Sequence, residues 1–97
     1  MNNNTGQKDD VRRRKLAFRA AHRGMKEMDL VLGGYVARNI SDMSASELDD
    51  LEQIIALPDV DLLNWVTGKE PVPDQHKSPL LGAILTFSIT PDYFTNT

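Results

Sequence analysis

From residue 25 onward, apolar side chains recur three and four positions apart, the spacing that lines one face of an α-helix. Met25, Met28, Leu32, Tyr35 and Val36 form such a face. Leu30 and Val31 widen it, while Lys26, Asp29 and Arg38 lie off it. Gly33 and Gly34 sit inside this stretch, at about 1 kcal/mol each relative to alanine. The pattern therefore predicts either a close helix–helix contact or a bend at that point. In "SDMSASELDDLEQIIAL", Ser44 and Glu47 have the spacing of a capping box, Leu48, Leu51, Ile54 and Ile55 form the inner face, and Pro58 ends the helix. "PDVDLLNWVTG" reads as a short helix capped by Asp59, with Asp61 in its first turn, stopped by Gly68, and packed through Leu62, Leu63, Trp65 and Val66. The two prolines of "KEPVPDQHK" predict an ordered, non-helical connector. Ser78 and Pro79 then open a last helix that packs through Leu80, Leu81, Ile84, Leu85 and Phe87. Ahead of all these, Asp9 or Asp10 is expected to cap a short first helix with a thin stripe of Val11, Arg14/Lys15, Phe18 and Ala21. Arg23-Gly24 interrupts it.

The expected fold is all-α, a compact bundle of about five short helices. Residues 1–97 are expected to form one domain, with a flexible 1–8, a helical 9–90 and a loose tail at 91–97. The chain shows neither an internal repeat nor a β-hairpin signature.

Composition sharpens this picture in two respects. The first is charge. The net charge of −3 conceals a basic end: residues 1–27 carry eight basic and three acidic side chains (+5), and the other 70 carry three basic and eleven acidic (−8). Such asymmetry suits an electrostatically steered partner, or else the arginines are the solvated face of the first helix. The second is the lack of cysteine, which excludes disulfides, thiolate metal sites and thiol nucleophiles. No run approaches the ~18 apolar residues of a membrane span, and no apolar segment of a secretion signal opens the chain. Asp9 and Asp10 interrupt the Arg-rich start that a transit peptide would need. A cytoplasmic protein without membrane insertion is expected.

Catalytic constellations are missing. His22 and His76 are the only histidines, and neither has a carboxylate cluster at helical spacing, so no metal site is expected. No nucleophile–base pair and no glycine-rich phosphate loop occurs. Glu47, Asp49, Asp50 and Glu52 read as a solvated helix face. The chain is not expected to be an enzyme.

What remains is His22-Arg23-Gly24-Met25-Lys26-Glu27-Met28-Asp29. One reading is structural. Gly24 caps the second helix, Glu27 reaches back to the free N–H groups, and Arg23 pairs with Glu27 at i,i+4 for a few tenths of a kcal/mol. The other is a small polar surface read by a partner, which would account for the guanidinium fork and the positive charge gathered beside it. Residue types alone leave both open. A nucleic-acid-binding module, suggested by Arg12-Arg13-Arg14-Lys15, is a rival that the −8 body opposes.

"HRGMKEMDLVLGGY" resembles the Arg-Gly-x-x-Glu signature of the FAD assembly factors of succinate dehydrogenase, the SdhE-type family with mitochondrial relatives, and "LPDVDLLNWVTGKEPVP" resembles that family's downstream block. The resemblance covers roughly residues 10 to 90. It implies a compact five-helix protein, monomeric when free, that holds no cofactor stably by itself. Such a protein binds the flavoprotein subunit of succinate dehydrogenase, and in many bacteria that of fumarate reductase, and promotes covalent attachment of FAD to a histidine of that client. Some relatives are described instead as antitoxin-like partners of a small membrane toxin. Carried across, the partner-binding residues are Arg23, Gly24 and Glu27, with His22 and Asp29 adjacent. Arg23 would make a bidentate client contact, Gly24 would admit the client's backbone, and Glu27 would orient Arg23 or accept from the client. Trp65 is expected in the core.

Overall fold

Ser44 and Glu47 form the expected capping box. The Glu47 N–H donates to Ser44 Oγ at 3.1 Å, and the Ser44 N–H donates to Glu47 Oε1 at 2.9 Å. This reciprocal pair starts a helix whose inner face, Leu48, Leu51, Ile54 and Ile55, is buried. The computed structural model describes residues 3–88, with side chains from Asp9 to Phe87. Five α-helices lie among them: α1 (Asn3–Ala21), α2 (Lys26–Asn39), α3 (Ala45–Ile55), α4 (Asp59–Val66) and α5 (Pro79–Ser88). Single 3-10 turns at Ile40–Asp42 and Asp74–His76 complete the described backbone, which contains no strand. The all-α expectation is met. The expected loose tail lies outside the described residues.

All five helices share one core. It gathers Met28, Val31, Leu32 and Val36 of α2 with Leu16 and Ala20 of α1, Leu48 and Leu51 of α3, Leu62 and Trp65 of α4, and Leu81 and Ile84 of α5. Each of these side chains is removed from water, at about 25 cal/mol per Å² of apolar surface. Trp65 belongs to this core, as expected, with the His76 ring 5.6 Å from its own. Gly68, at φ +77°, ends α4 in the left-handed conformation that only glycine adopts cheaply. At the start of α5, Ser78 Oγ accepts from the Leu81 N–H at 3.1 Å, with Pro79 in the first turn.

Several local expectations are corrected. Helix α1 starts at Asn3, so it is 19 residues long rather than short, and Asp9 and Asp10 lie within it rather than at its cap. Asp9 instead accepts from Arg13 Nε at 2.7 Å, one turn along. The inner face of α1 is Leu16 and Ala20, with Ala17 packed beside them. Val11 and Phe18, expected inside, are 41% and 62% exposed. Leu16 and Ala20 are buried and Ala21 lies against Gly33, so Val11 and Phe18, on the other side of the helix, face outward. Leu30 is likewise exposed, at 41%. Pro58, not Asp59, is the N-cap of α4, and the connector contains the Asp74–His76 turn.

Gly33 is explained by contact rather than by a bend. A β-carbon on Gly33 would stand 2.8 Å from Ala21 Cα and 2.9 Å from its Cβ, so the end of α1 lies directly on the α2 backbone. On Gly82 in α5 a β-carbon meets nothing within 4 Å. Gly33→Ala should therefore lose about 1 kcal/mol net, because backbone overlap outweighs the helix propensity gained. Gly82→Ala should gain about 0.5–1 kcal/mol. Urea unfolding of both variants checks the pair, and equal gains at the two positions would contradict the packing described.

Candidate functional site

The turn between α1 and α2 is built by two carboxylates from elsewhere in the chain. Asp29, in the first turn of α2, accepts the backbone N–H of Arg23 and folds residues 22–25 back on the helix. Asp59, at the start of α4, receives Arg23 Nε. The other two nitrogens of the same guanidinium donate to backbone carbonyls of the α3–α4 corner, Nη1 to Ile55 O at 2.7 Å and Nη2 to Leu57 O at 2.6 Å. The Arg23 side chain is only 8% exposed and that of Asp59 21%. All three nitrogens of the guanidinium are thus engaged within the protein. The planar five-donor fork of arginine suits this site, because one lysine ammonium could not span three acceptors in that plane.

Gly24 follows at φ +92°, a conformation costly to residues with a β-carbon, and nothing lies within 4 Å of where that carbon would be. Its outer side is open. Glu27 is exposed, and no capping bond is made by it: the N-cap of α2 is Met25, without a side-chain cap. The predicted Gly24–Glu27 capping arrangement is therefore corrected. No Arg23–Glu27 ion pair forms among the described residues, since the guanidinium is committed to Asp59 and the α3–α4 corner. His22 is exposed, with Nδ1 2.8 Å from Phe18 O and its ring stacked on Phe18 at 4.0 Å between centroids. The five candidate residues thus come together in one turn and divide into two sets. Arg23 and Asp29 hold the turn from within, and His22, Gly24 and Glu27 present it to solvent.

The basic run beside it divides in the same manner. Arg12 Nη2 pairs with Asp49 at 2.6 Å and Glu52 at 3.1 Å on α3. The Asp49 hydrogen bond chiefly holds the Arg12 pKa above its ordinary value, against partial desolvation, with Glu52 adding to the effect. Arg13 donates to the carbonyls of Ile40 and, at 2.9 Å, Met43, closing the end of α2. Both arginines thus have partners within the protein, Arg12 at its surface and Arg13 partly buried. No group of three metal-ligating side chains occurs among the described residues. None of the described helices is long and apolar enough to cross a membrane.

A family model described as "Flavinator of succinate dehydrogenase" matches residues 14–88, a span that contains the whole turn together with α2 to α5. The chain belongs to this family. Among curated relatives, it is 46% identical over 71 residues to the FAD assembly factor SdhE of Acetobacter pasteurianus, covering 73% of this chain and 65% of that one. It is 36% identical over 69 residues to the mitochondrial succinate dehydrogenase assembly factor 2 of Dictyostelium discoideum, covering 71% of this chain and 49% of the relative. The corresponding factor of Debaryomyces hansenii is 35% identical over 77 residues, or 76% and 54% of the two chains. The chain therefore spans between about half and two-thirds of the length of these relatives.

Asp59 and the carbonyls of Ile55 and Leu57 are the part that sequence reasoning missed. The available signal was an acid directly after Pro58, but that fits an ordinary helix start just as well, and its partner lies 36 residues away. Removing Arg23 leaves two carbonyls and a carboxylate without their donor. Arg23→Ala should cost roughly 3 kcal/mol, near the lower end for breaking a buried pair because Asp59 is partly wet. Glu27→Ala should stay within about 0.5 kcal/mol of the unsubstituted protein, as an exposed position without a bond should. Thermal melts compare the two directly, and an Arg23→Ala protein as stable as Glu27→Ala would contradict the internal role of the arginine.

Proposed function

We propose that this protein is an assembly factor that binds the flavoprotein subunit of succinate dehydrogenase, with that of fumarate reductase as a further client, and promotes covalent attachment of FAD there. The single observation that carries this reading is the family match over 14–88, which includes a turn whose glycine and carboxylate are open to solvent. The named relatives, a FAD assembly factor and two succinate dehydrogenase assembly factors, support the same reading.

In this proposal FAD is the client's cargo and not a resident cofactor of the chain. The protein acts without a catalytic group of its own, as a monomer in the cytoplasm, by binding one arrangement of the client more tightly than others. Holding a nucleophile and its target in attack geometry can lower a barrier by several kcal/mol through positioning alone. Gly24 leaves room for the client's backbone, and Glu27 offers an acceptor to its donors. Arg23 and Asp29 act one step back, as positioning residues that hold the turn in the shape the client reads.

The test uses cells with and without the protein. Affinity capture of tagged protein should recover the flavoprotein subunit, and in-gel ultraviolet detection should show its covalent flavin falling severalfold when the protein is absent. Glu27→Ala should lower covalent flavin while leaving the melting temperature unchanged. Undiminished covalent flavin in the absence of the protein, or capture of a small membrane peptide in place of the flavoprotein, overturns the proposal.

A further inference from the structure

The outward face of α1 is apolar at its centre and cationic at its margins, and it lies outside the hydrophobic core formed by the described residues. At 3.6 residues per turn, Val11, Phe18 and His22 fall on one line along the helix, opposite the buried Leu16 and Ala20. Arg14, Lys15 and Arg19 flank that line. Val11, Phe18 and these three cations border a shallow trough of about 410 Å³. Arg12 and Arg13 are taken up by Asp49, Glu52, Asp9 and backbone carbonyls. By contrast, Arg14, Lys15 and Arg19 make no ion pair or side-chain hydrogen bond among the described residues. The face is continuous with the turn, because the His22 ring lies flat on Phe18 at 4.0 Å and the chain passes from His22 through Arg23 to the open Gly24.

We infer that this face extends the client-docking surface: an acidic segment of the flavoprotein subunit lies along α1, with an apolar side chain against Phe18 and carboxylates toward Arg14, Lys15 and Arg19. The inference rests on the proposed function and says where, beyond the turn, the client is held. Charge selects this occupant. Two copies meeting face to face through a two-fold axis would set three cations against three, which self-repulsion opposes. An extended polyanion, whether bilayer or nucleic acid, would also meet the −8 carried by residues 28–97. A protein segment can be acidic over one helix length and neutral or basic beyond it. An aromatic side chain more than half exposed and ringed by cations is also the kind of anchor that dominates protein interfaces.

The experiment measures binding of the purified flavoprotein subunit to the full chain and to two variants, Phe18→Ser and Arg14→Glu/Arg19→Glu. Because these side chains are exposed, both variants should keep the unsubstituted circular dichroism spectrum and melting temperature. Phe18→Ser should raise Kd about tenfold or more, mostly through faster dissociation. The double charge reversal should slow association and flatten its salt dependence. If the unsubstituted chain binds and both variants bind within twofold of it, the α1 face is not part of the interface, and the proposed function stands without it. If the unsubstituted chain does not bind the flavoprotein subunit, the proposed function fails and this inference with it. Two controls test other occupants, sedimentation at rising protein concentration and flotation with vesicles containing phosphatidylserine. An effect of either variant on self-association or vesicle binding, with client binding unchanged, also overturns it.

Discussion

One guanidinium holds three parts of this molecule together. Arg23 stands in the turn that joins α1 to α2 and donates to the carboxylate that opens α4 and to two carbonyls of the α3–α4 corner, Ile55 O and Leu57 O. The Ile55 carbonyl is among the groups that every helix leaves without an internal partner, and that of Leu57 belongs to the connection to α4. The carboxylate sits at the positive end of α4, where it would be favoured even without the arginine. A charge this far from water persists only with its hydrogen bonds complete, and here all three nitrogens are used. The turn is thereby fixed to the α3–α4 corner rather than left as a simple break between two helices. Arg13 repeats the device one corner away, closing the end of α2 through the carbonyls of Ile40 and Met43.

This constraint separates two jobs that adjacent residues would otherwise confuse. Arg23 and Asp29 are spent on the shape of the turn, whereas Gly24 and Glu27 face outward. A partner that reads this surface meets a backbone without a β-carbon, a free carboxylate and the stacked His22–Phe18 pair. The unmatched positive charge begins at Arg14, not at Arg12. Half of the sequence-level basic run is therefore scaffold, and only its outer half remains for long-range attraction.

What the sequence made legible follows a simple physical division. Contacts within one turn of helix were readable: the Ser44–Glu47 box, the Gly68 stop, the Ser78-Pro79 start and the inner face of α3 depend only on neighbours in the chain. Contacts between distant segments were not. Val11 and Phe18 have the helical spacing of a core face, yet Leu16 and Ala20 are the side chains buried, and what buries them, α2 among it, lies in other parts of the chain. Gly33 could be read as a contact or a bend, and only the position of Ala21, 2.8 Å from where a β-carbon would stand, distinguishes them. At the candidate site the residues were legible as a motif but their division of labour was not. Arg23 looks like a hand extended to a partner until Asp59, Ile55 and Leu57 are placed around it.

The most direct measurement of that division is a double-mutant cycle between Arg23→Met and Asp59→Asn, read as unfolding free energy of the isolated protein in urea. The internal clamp predicts a coupling energy of about 1–3 kcal/mol, with the double variant much less destabilised than the sum of the singles. Additive effects within about 0.5 kcal/mol would contradict it, returning Arg23 to the surface as a side chain available to a partner.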